Sequence, residues 1–400
     1  MARHHSALHR KFDLKPIAFR AMKGVTGSHP GLRKAVSFFP DFGWPDPAKV
    51  DLREDSIRTF SLVQERYSRQ RAFVGSHDVD VMNPHCRFRD PDSAHRVVAL
   101  ITDALIPGHT VTPVDPDTGR QIAYDTTADS NWHFAYPAPA AFQTRHVEGV
   151  VAAIPPYKHY GHLLTDVLMP LAYALHRHVL APGETLTIVT ARSVNPLVQS
   201  FIEGLGRIGV SVSHLKLAPW QRVRARRYLY ARSHCCNLER VFATPEALDY
   251  ARSIFQAAYA ERPLPEAAPR IYLTRGQTRL RRVEGEAELI EGLRGRGFRI
   301  VQASWSNHHE QIHWFAEADT VMAVHGAGLA NILWARRQPL LIELMAQNAR
   351  KSTGLHWAAE VGADYEPVTG GPEGPKQAFG IDPAAVLRDV DAILERRPAR

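Results

Sequence analysis

From Pro156 onward, short aliphatic and β-branched stretches alternate with amphipathic periods, and this rhythm limits the possible folds more than any other property of the chain. It predicts a helix over 161–179, a strand over 185–190, a helix over 196–208 and strands near 210–215 and 227–231. The proline-rich segment Arg262-Pro-Leu-Pro-Glu-Ala-Ala-Pro269 interrupts it. The alternation then resumes with strand 271–274, helix 284–294, strand 298–301, helix 308–317, strand 320–324, helix 327–334 and strand 340–344. An amphipathic helix over 383–396 closes the chain. Strands separated by helices cannot pair as hairpins, so they form parallel sheets covered by helices. A stiff break between two such series marks a boundary between two α/β domains, with ligands expected in the cleft at the carboxyl ends of their strands.

Four segments follow from this: a basic arm with a short helix over 1–75, a first domain over 76–261, a linker over 262–269 and a second domain over 270–400. Within the first domain, β-prone stretches and turn clusters between 96 and 154 read as a β-rich insertion. A length of 400 residues suffices for this division. With 44% hydrophobic and 22% charged residues the chain is neither disordered nor a polytopic membrane protein. No apolar run approaches the roughly 20 residues of a membrane-spanning helix. The first 34 residues hold eight Lys and Arg against Asp13 alone, without the apolar stretch of a secretory signal. Three cysteines without a C-x-x-C spacing argue against a disulfide framework and a thiolate metal site, so a cytoplasmic location is expected. The net charge of +8 favours an anionic partner: nucleic acid, a membrane surface or a phosphorylated small molecule.

The motifs favour the last. His325-Gly-Ala-Gly328 joins the strand over 320–324 to the helical run that follows, and backbone N–H groups at such a turn bind anions. Gly326, Ala327 and Gly328 are small enough for a phosphate to approach closely. Arg275 ends the first strand of the same domain and reaches the same rim, where its guanidinium can neutralise a diphosphate; Arg279, Arg281 and Arg282 stand nearby. Glu343, near the end of the strand over 340–344, is placed to accept hydrogen bonds from ribose hydroxyls. In the first domain, His162 and Asp166 lie four residues apart at a helix start, a spacing that pairs a carboxylate with an imidazole for general-base work. A different chemistry is spelled by His309-Glu-Gln-Ile-His313, the H-E-x-x-H pattern of zinc hydrolases, although Ala316 and Asp319 stand where its extended form has glycine and a third histidine.

Taken together, the motifs resemble glycosyltransferase family 61, which includes bacterial capsule and exopolysaccharide transferases, plant xylan-decorating enzymes and animal protein O-linked N-acetylglucosaminyltransferases. The resemblance covers about Val147 to Leu344. It rests on His159-Tyr-Gly-His-Leu-Leu-Thr-Asp166 with Leu168-Met-Pro170, on Ile271-Tyr-Leu-Thr-Arg275, on Arg281-Arg-Val-Glu-Gly-Glu286, on Glu310-Gln311, and on His325-Gly-Ala327 through Glu343. His159 and Gly285 depart from the family pattern, which has asparagine at both positions. Its own Glu-Gln pair accounts for the H-E-x-x-H match, leaving zinc hydrolysis, or nucleotide binding without catalysis, as the alternative. The resemblance implies a GT-B architecture, two Rossmann-like domains facing across a cleft. It also implies inverting sugar transfer from a nucleotide sugar, a UDP-sugar above all, to a saccharide or lipid-linked saccharide, without a metal or other cofactor. Asp166 and His162 are then the catalytic pair. Arg275, Arg282, His325, Gly326, Ala327, Gly328 and Glu343 form the donor site. No nucleic-acid partner is expected, and the basic arm suits peripheral contact with the inner face of the cell membrane.

Overall fold

The computed structural model describes residues 42–43, 47–52, 98–119, 121–122, 143–157, 159–177, 179–231, 245–276, 278, 280–349 and 353–397. Most of the basic arm, the three cysteines and Arg279 lie outside them. Two sheets organise the described residues. The first contains β1 (Val50–Leu52), β2 (Val98–Pro107), β3 (Gln143–Ile154), β4 (Leu186–Ala191), β5 (Val212–Leu217) and β6 (Gln221–Ala231). They lie in the order β1-β2-β6-β3-β4-β5. From β6 to β5 neighbours are parallel, whereas β2 runs antiparallel to both β6 and β1. Of the strands expected to form an insertion between 96 and 154, β2 and β3 are thus ladder members of this sheet on either side of β6, whereas Gln121–Ile122 pairs with Phe42–Gly43 in a separate two-stranded ladder.

The second sheet contains β7 (Arg270–Thr274), β8 (Arg299–Gln302), β9 (Thr320–Val324), β10 (Leu340–Met345) and β11 (Asp364–Thr369), in the order β8-β7-β9-β10-β11. All its pairs are parallel. Every residue of β9 and β10 is buried, as expected of strands covered on both faces.

The helical stretch after β3 has three parts: α1 (Tyr160–Leu163), a π-helical turn (Leu164–Leu168) and α2 (Met169–His176). Pro170 explains the turn. It has no N–H to give the Asp166 carbonyl and its ring crowds that carbonyl, so the preceding turn widens. Further along come α3 (Pro196–Arg207), α4 (Pro245–Ala258), α5 (Glu286–Arg294), α6 (His308–Glu317), α7 (Thr353–Val361) and α8 (Pro383–Arg396). Asn195 and Asp382 cap α3 and α8 ahead of a proline at the first helical position. The run after His325 is a 3₁₀ helix (Ala327–Trp334), opened by Leu329 N–H bonding to the Gly326 carbonyl. Eight residues are long for that form, which often marks functional or strained segments.

Apolar residues from both sheets meet in one continuous cluster, with Leu100, Val150 and Leu229 at one end and Ile271, Leu273 and Leu341 at the other. Arg252 of α4 is buried within it and donates to the carbonyls of Leu333, Trp334 and Ala335, holding the end of the 3₁₀ helix.

Candidate functional site

In the second sheet, chain order runs outward in opposite directions from the gap between β7 and β9, and such a switch point opens a crevice at the carboxyl ends of the strands. Arg275 follows β7 and His325 follows β9, so the two residues expected to share a rim flank this gap. Beside it lies a cavity of about 300 Å³, bounded by Thr274, Arg275 and Thr278 after β7, by the Gln302–Trp305 turn after β8, and by Val324 and Gly328. His159 and Tyr160 of the opposite half close it. Leu273 and Gln311 complete its wall. The Trp305 ring meets the Tyr160 ring edge-on at 5.6 Å between centroids, giving the cavity an aromatic wall.

Glu286, in the first turn of α5, fixes the end of β7. Its Oε1 accepts from the Tyr272 hydroxyl at 2.8 Å, from the Thr274 hydroxyl at 2.8 Å and from Arg275 N–H at 3.2 Å. The Arg275 side chain donates through Nη2 to the Leu280 carbonyl at 3.0 Å, and its Nε is buried without a protein partner. Its Nη1 lies where a Cβ on residue 326 would stand, so a side chain there would push the guanidinium aside. Arg281 Nη1 approaches the same point, 3.4 Å from that Cβ position. Burial lowers the pKa of both guanidiniums, and for Arg275 the neighbouring Arg281 adds to the effect. Arg282 is exposed, so the inward-facing member of the Arg281-Arg282 pair is Arg281.

Two histidine–carboxylate pairs flank the crevice. On the α1 side, His162 Nδ1 lies 2.8 Å from Asp166 Oδ2, and the Thr165 hydroxyl lies 2.7 Å from Asp166 Oδ1. The Asp166 side chain is 3% exposed and that of His162 23%, so the imidazole is the member that reaches solvent. The His162 ring stacks near Tyr157 and tilts against His159. On the β9 side, His325 Nδ1 lies 2.5 Å from Glu343 Oε1, and Tyr365 donates to Glu343 Oε2 at 2.6 Å. Glu343 is completely buried with both oxygens engaged, so it holds His325 in place and does not extend toward a ribose. Gly354 leaves the room it needs, since a side chain there would run into the carboxylate. The two motifs meet directly: a Cβ at Gly161 would stand 3.6 Å from both Cα and Cβ of Ala327.

The glycosyltransferase 61 family model matches residues 160–342, which contain His162, Asp166, Arg275 and the His325 turn. Residues 160–342 are a glycosyltransferase family 61 domain. No curated protein sequence matches the chain. Among solved structures it is similar to E. coli heptosyltransferase WaaC with ADP, at 13% identity over 62% of this chain and 98% of the other, with a TM-score of 0.28.

A buried polar chain binds the two sides of the crevice together, and sequence reasoning missed it. Asn331 Nδ2 donates to the Gly328 carbonyl and to Gln311 Oε1, leaving its Oδ1 to accept from the Tyr160 hydroxyl at 2.5 Å. The Tyr160 oxygen then accepts from His308 Nε2–H at 3.2 Å, and His308 Nδ1 accepts from Tyr259 at 3.0 Å. Burial pushes the His308 pKa down to about 3, so the ring is neutral, as this order of donors requires. Gln311 of the Glu-Gln pair ends the chain on the Ser304 carbonyl at 2.6 Å. The Glu-Gln motif therefore ties α6 to the 3₁₀ helix. Of the H-E-x-x-H residues, His309 packs against the Tyr259 ring with its Nδ1 buried and unbonded. Among the described residues no three His, Cys, Asp or Glu side chains gather as a metal site. The D-x-D triplets at 115–117 and 389–391 lie in ion pairs with Lys49 and Arg296, and those at 78–80 and 90–92 fall outside the described residues. No helix among the described residues is long and apolar enough to cross a membrane.

Proposed function

We propose that this glycosyltransferase moves a sugar with inversion from a nucleotide sugar, a UDP-sugar first, to a saccharide or lipid-linked saccharide acceptor in capsular or exopolysaccharide assembly. In this reading the chain has the GT-B form, with 76–261 as the acceptor side and 270–400 as the donor side. Transfer needs no metal or other cofactor. The observation that carries the reading is the approach of the His162–Asp166 pair to the Arg275–His325 switch point across the Gly161–Ala327 contact.

Each side has its task. His162 takes the proton of the acceptor hydroxyl while that oxygen forms its bond to the anomeric carbon. The bond from that carbon to the phosphate oxygen breaks, and its electron pair leaves with the nucleoside diphosphate. Asp166, buried and held by Thr165, orients the ring and stabilises the imidazolium, as the buried carboxylate of a hydrolase triad does. Arg275, the His325 turn and the N–H groups of the 3₁₀ helix receive the negative charge of the leaving diphosphate. Guanidinium groups supply the counter-charge that a divalent ion provides in other transferases. The cavity beside Trp305 takes the nucleoside.

Calorimetric titration with nucleotides and nucleotide sugars in excess chelator tests this reading. UDP and at least one UDP-sugar should bind, and UDP release should match product formation with inverted anomeric configuration. A chain that binds no nucleotide, or whose activity is hydrolysis restored by zinc, would reverse it.

A further inference from the structure

We propose that Arg281 is a second diphosphate-binding guanidinium, and that Gln377, on a strained loop, positions it as a clamp opposite Arg275. This rests on the nucleotide-sugar reading above. Three observations independent of the sequence motifs support it.

The first is backbone strain. Arg281, Lys376 and Gln377 have φ of 58°, 58° and 61°, in the left-handed region that non-glycine residues rarely enter. The three positions are joined: Arg281 N–H donates to the Lys376 carbonyl at 2.9 Å, and Arg281 Nε donates to Gln377 Oε1 at 2.8 Å. Side chains are held in such conformations only where surrounding contacts over-determine them, commonly at ligand clamps. Here the surrounding contacts are a short parallel ladder, in which Val283 and Glu284 pair with Phe379 and Gly380, together with the Glu373 N–H bond to Asn348 Oδ1 at 2.7 Å.

The second is convergence. Arg275 and Arg281 bring their Nη1 atoms to the same face of Gly326, although two like charges in a partly buried place repel. Glu286 acts on Arg275, and Glu343 and Glu373 act on Arg281, through space, but Glu343 is committed to His325 and Tyr365. A ligand carrying two adjacent negative groups matches this arrangement better than one carrying a single group.

The third is the buried Arg275 Nε, which has no protein acceptor. Together these select a pyrophosphate-linked donor over a sugar activated by one phosphate.

The experiment is calorimetry on the full chain with inorganic pyrophosphate, inorganic phosphate and UDP. Wild type should prefer pyrophosphate to phosphate by about tenfold or more, as two charge-assisted contacts replace one. Gln377→Ala should weaken UDP and pyrophosphate about five- to tenfold, and Arg281→Met by at least as much, with phosphate affected less. Gln377→Gly removes the backbone strain and the amide together, so it should melt no lower than wild type yet bind like Gln377→Ala. Arg281→Lys should recover part of the Arg281→Met loss, which a purely structural role would not require. If wild type binds UDP and these variants bind it equally well, the clamp is overturned while the glycosyltransferase reading stands. If wild type binds neither UDP nor pyrophosphate, both fall.

Discussion

The two histidine–carboxylate pairs are built alike and stand in opposite surroundings. In each, a buried carboxylate holds the histidine Nδ1 with one oxygen and meets a hydroxyl with the other. Around His162 stand the rings of Tyr157 and His159, and its side chain is the more exposed of the two histidines. Around His325 stand Gly326 and two guanidiniums. In the proposed reaction the same pair of side chains therefore serves proton uptake in one place and binding of negative charge in the other. The neighbours, more than the pair, assign the role.

Kinetics should separate the pairs most widely. His162→Ala is expected to lower kcat by roughly 10²–10⁴-fold with donor affinity nearly unchanged, the usual loss when a general base is removed. His325→Ala should act mainly on donor affinity, by about tenfold or more. Asp166→Asn should fall with His162→Ala, since it leaves the ring in place without its counter-charge. Exchanged patterns for His162 and His325 would show that the surroundings have been misjudged. An inactive Asp166→Asn beside a nearly normal His162→Ala would move the base to the carboxylate.

The pairs should also differ in how much of the fold rests on them. Thr165 and Asp166 are adjacent in one turn, whereas Glu343 draws its partners from the turn after β9 and from β11. Glu343→Ala leaves the Tyr365 hydroxyl and the His325 ring without their acceptor in a closed interior, costing about 3 kcal/mol. Thr165→Val should cost about 1 kcal/mol. Denaturant unfolding of the two variants checks this, and equal losses would remove the distinction between a local and a tertiary pair.

On the anion side, Arg275→Ala should weaken UDP binding by about 1.5–3 kcal/mol, while Arg282→Ala should change it by less than about 0.5 kcal/mol, as for exposed positions. Calorimetry giving Arg282 the larger effect would return the donor contact to the position that sequence order alone favours.

That case shows where the sequence was legible. The helix over 308–317, the strand over 320–324 and the helix over 383–396 stand where their periodicity puts them, because strongly patterned segments leave little choice. Pairing Arg275 with His325 needed only strand ends on one sheet. Choosing between Arg281 and Arg282 needed the left-handed backbone at Arg281, which adjacent identical residues cannot signal. Glu343 was legible as a strand-end acid, but its burial depends on Tyr365 of β11, a strand the alternation did not reveal. Helix α4 and its Arg252 were readable in principle: Ala247, Leu248, Ala251, Ile254, Phe255 and Ala258 repeat with helical spacing after Pro245. Nothing in the motif order announced the Tyr259–His308–Tyr160–Asn331 chain, because its members join distant segments through side chains alone.

That chain carries one more expected effect, and it concerns the joint between the two pairs. His308 is buried and neutral, with its pKa lowered to about 3 from 6.5 by desolvation and then by His309. The unfolded chain takes up a proton at this residue below pH 6.5, whereas the native state resists it until about pH 3. Stability from this group is therefore fully present above pH 6.5 and is lost as pH falls through the window toward 3. Well inside that window the slope is about 1.4 kcal/mol per pH unit. His309 and His356 are shifted in the same direction, so the wild-type slope sums several groups. His308→Asn removes one share while keeping a donor and an acceptor, and denaturant unfolding at pH 5.5 and 4.5 should give a pH dependence shallower by about 1.4 kcal/mol. A variant with the wild-type slope would mean that His308 is protonated in the folded protein. The hydrogen-bond order from Tyr259 to Asn331 would then have to be redrawn, and with it the link between the His162 helix and the turn after His325.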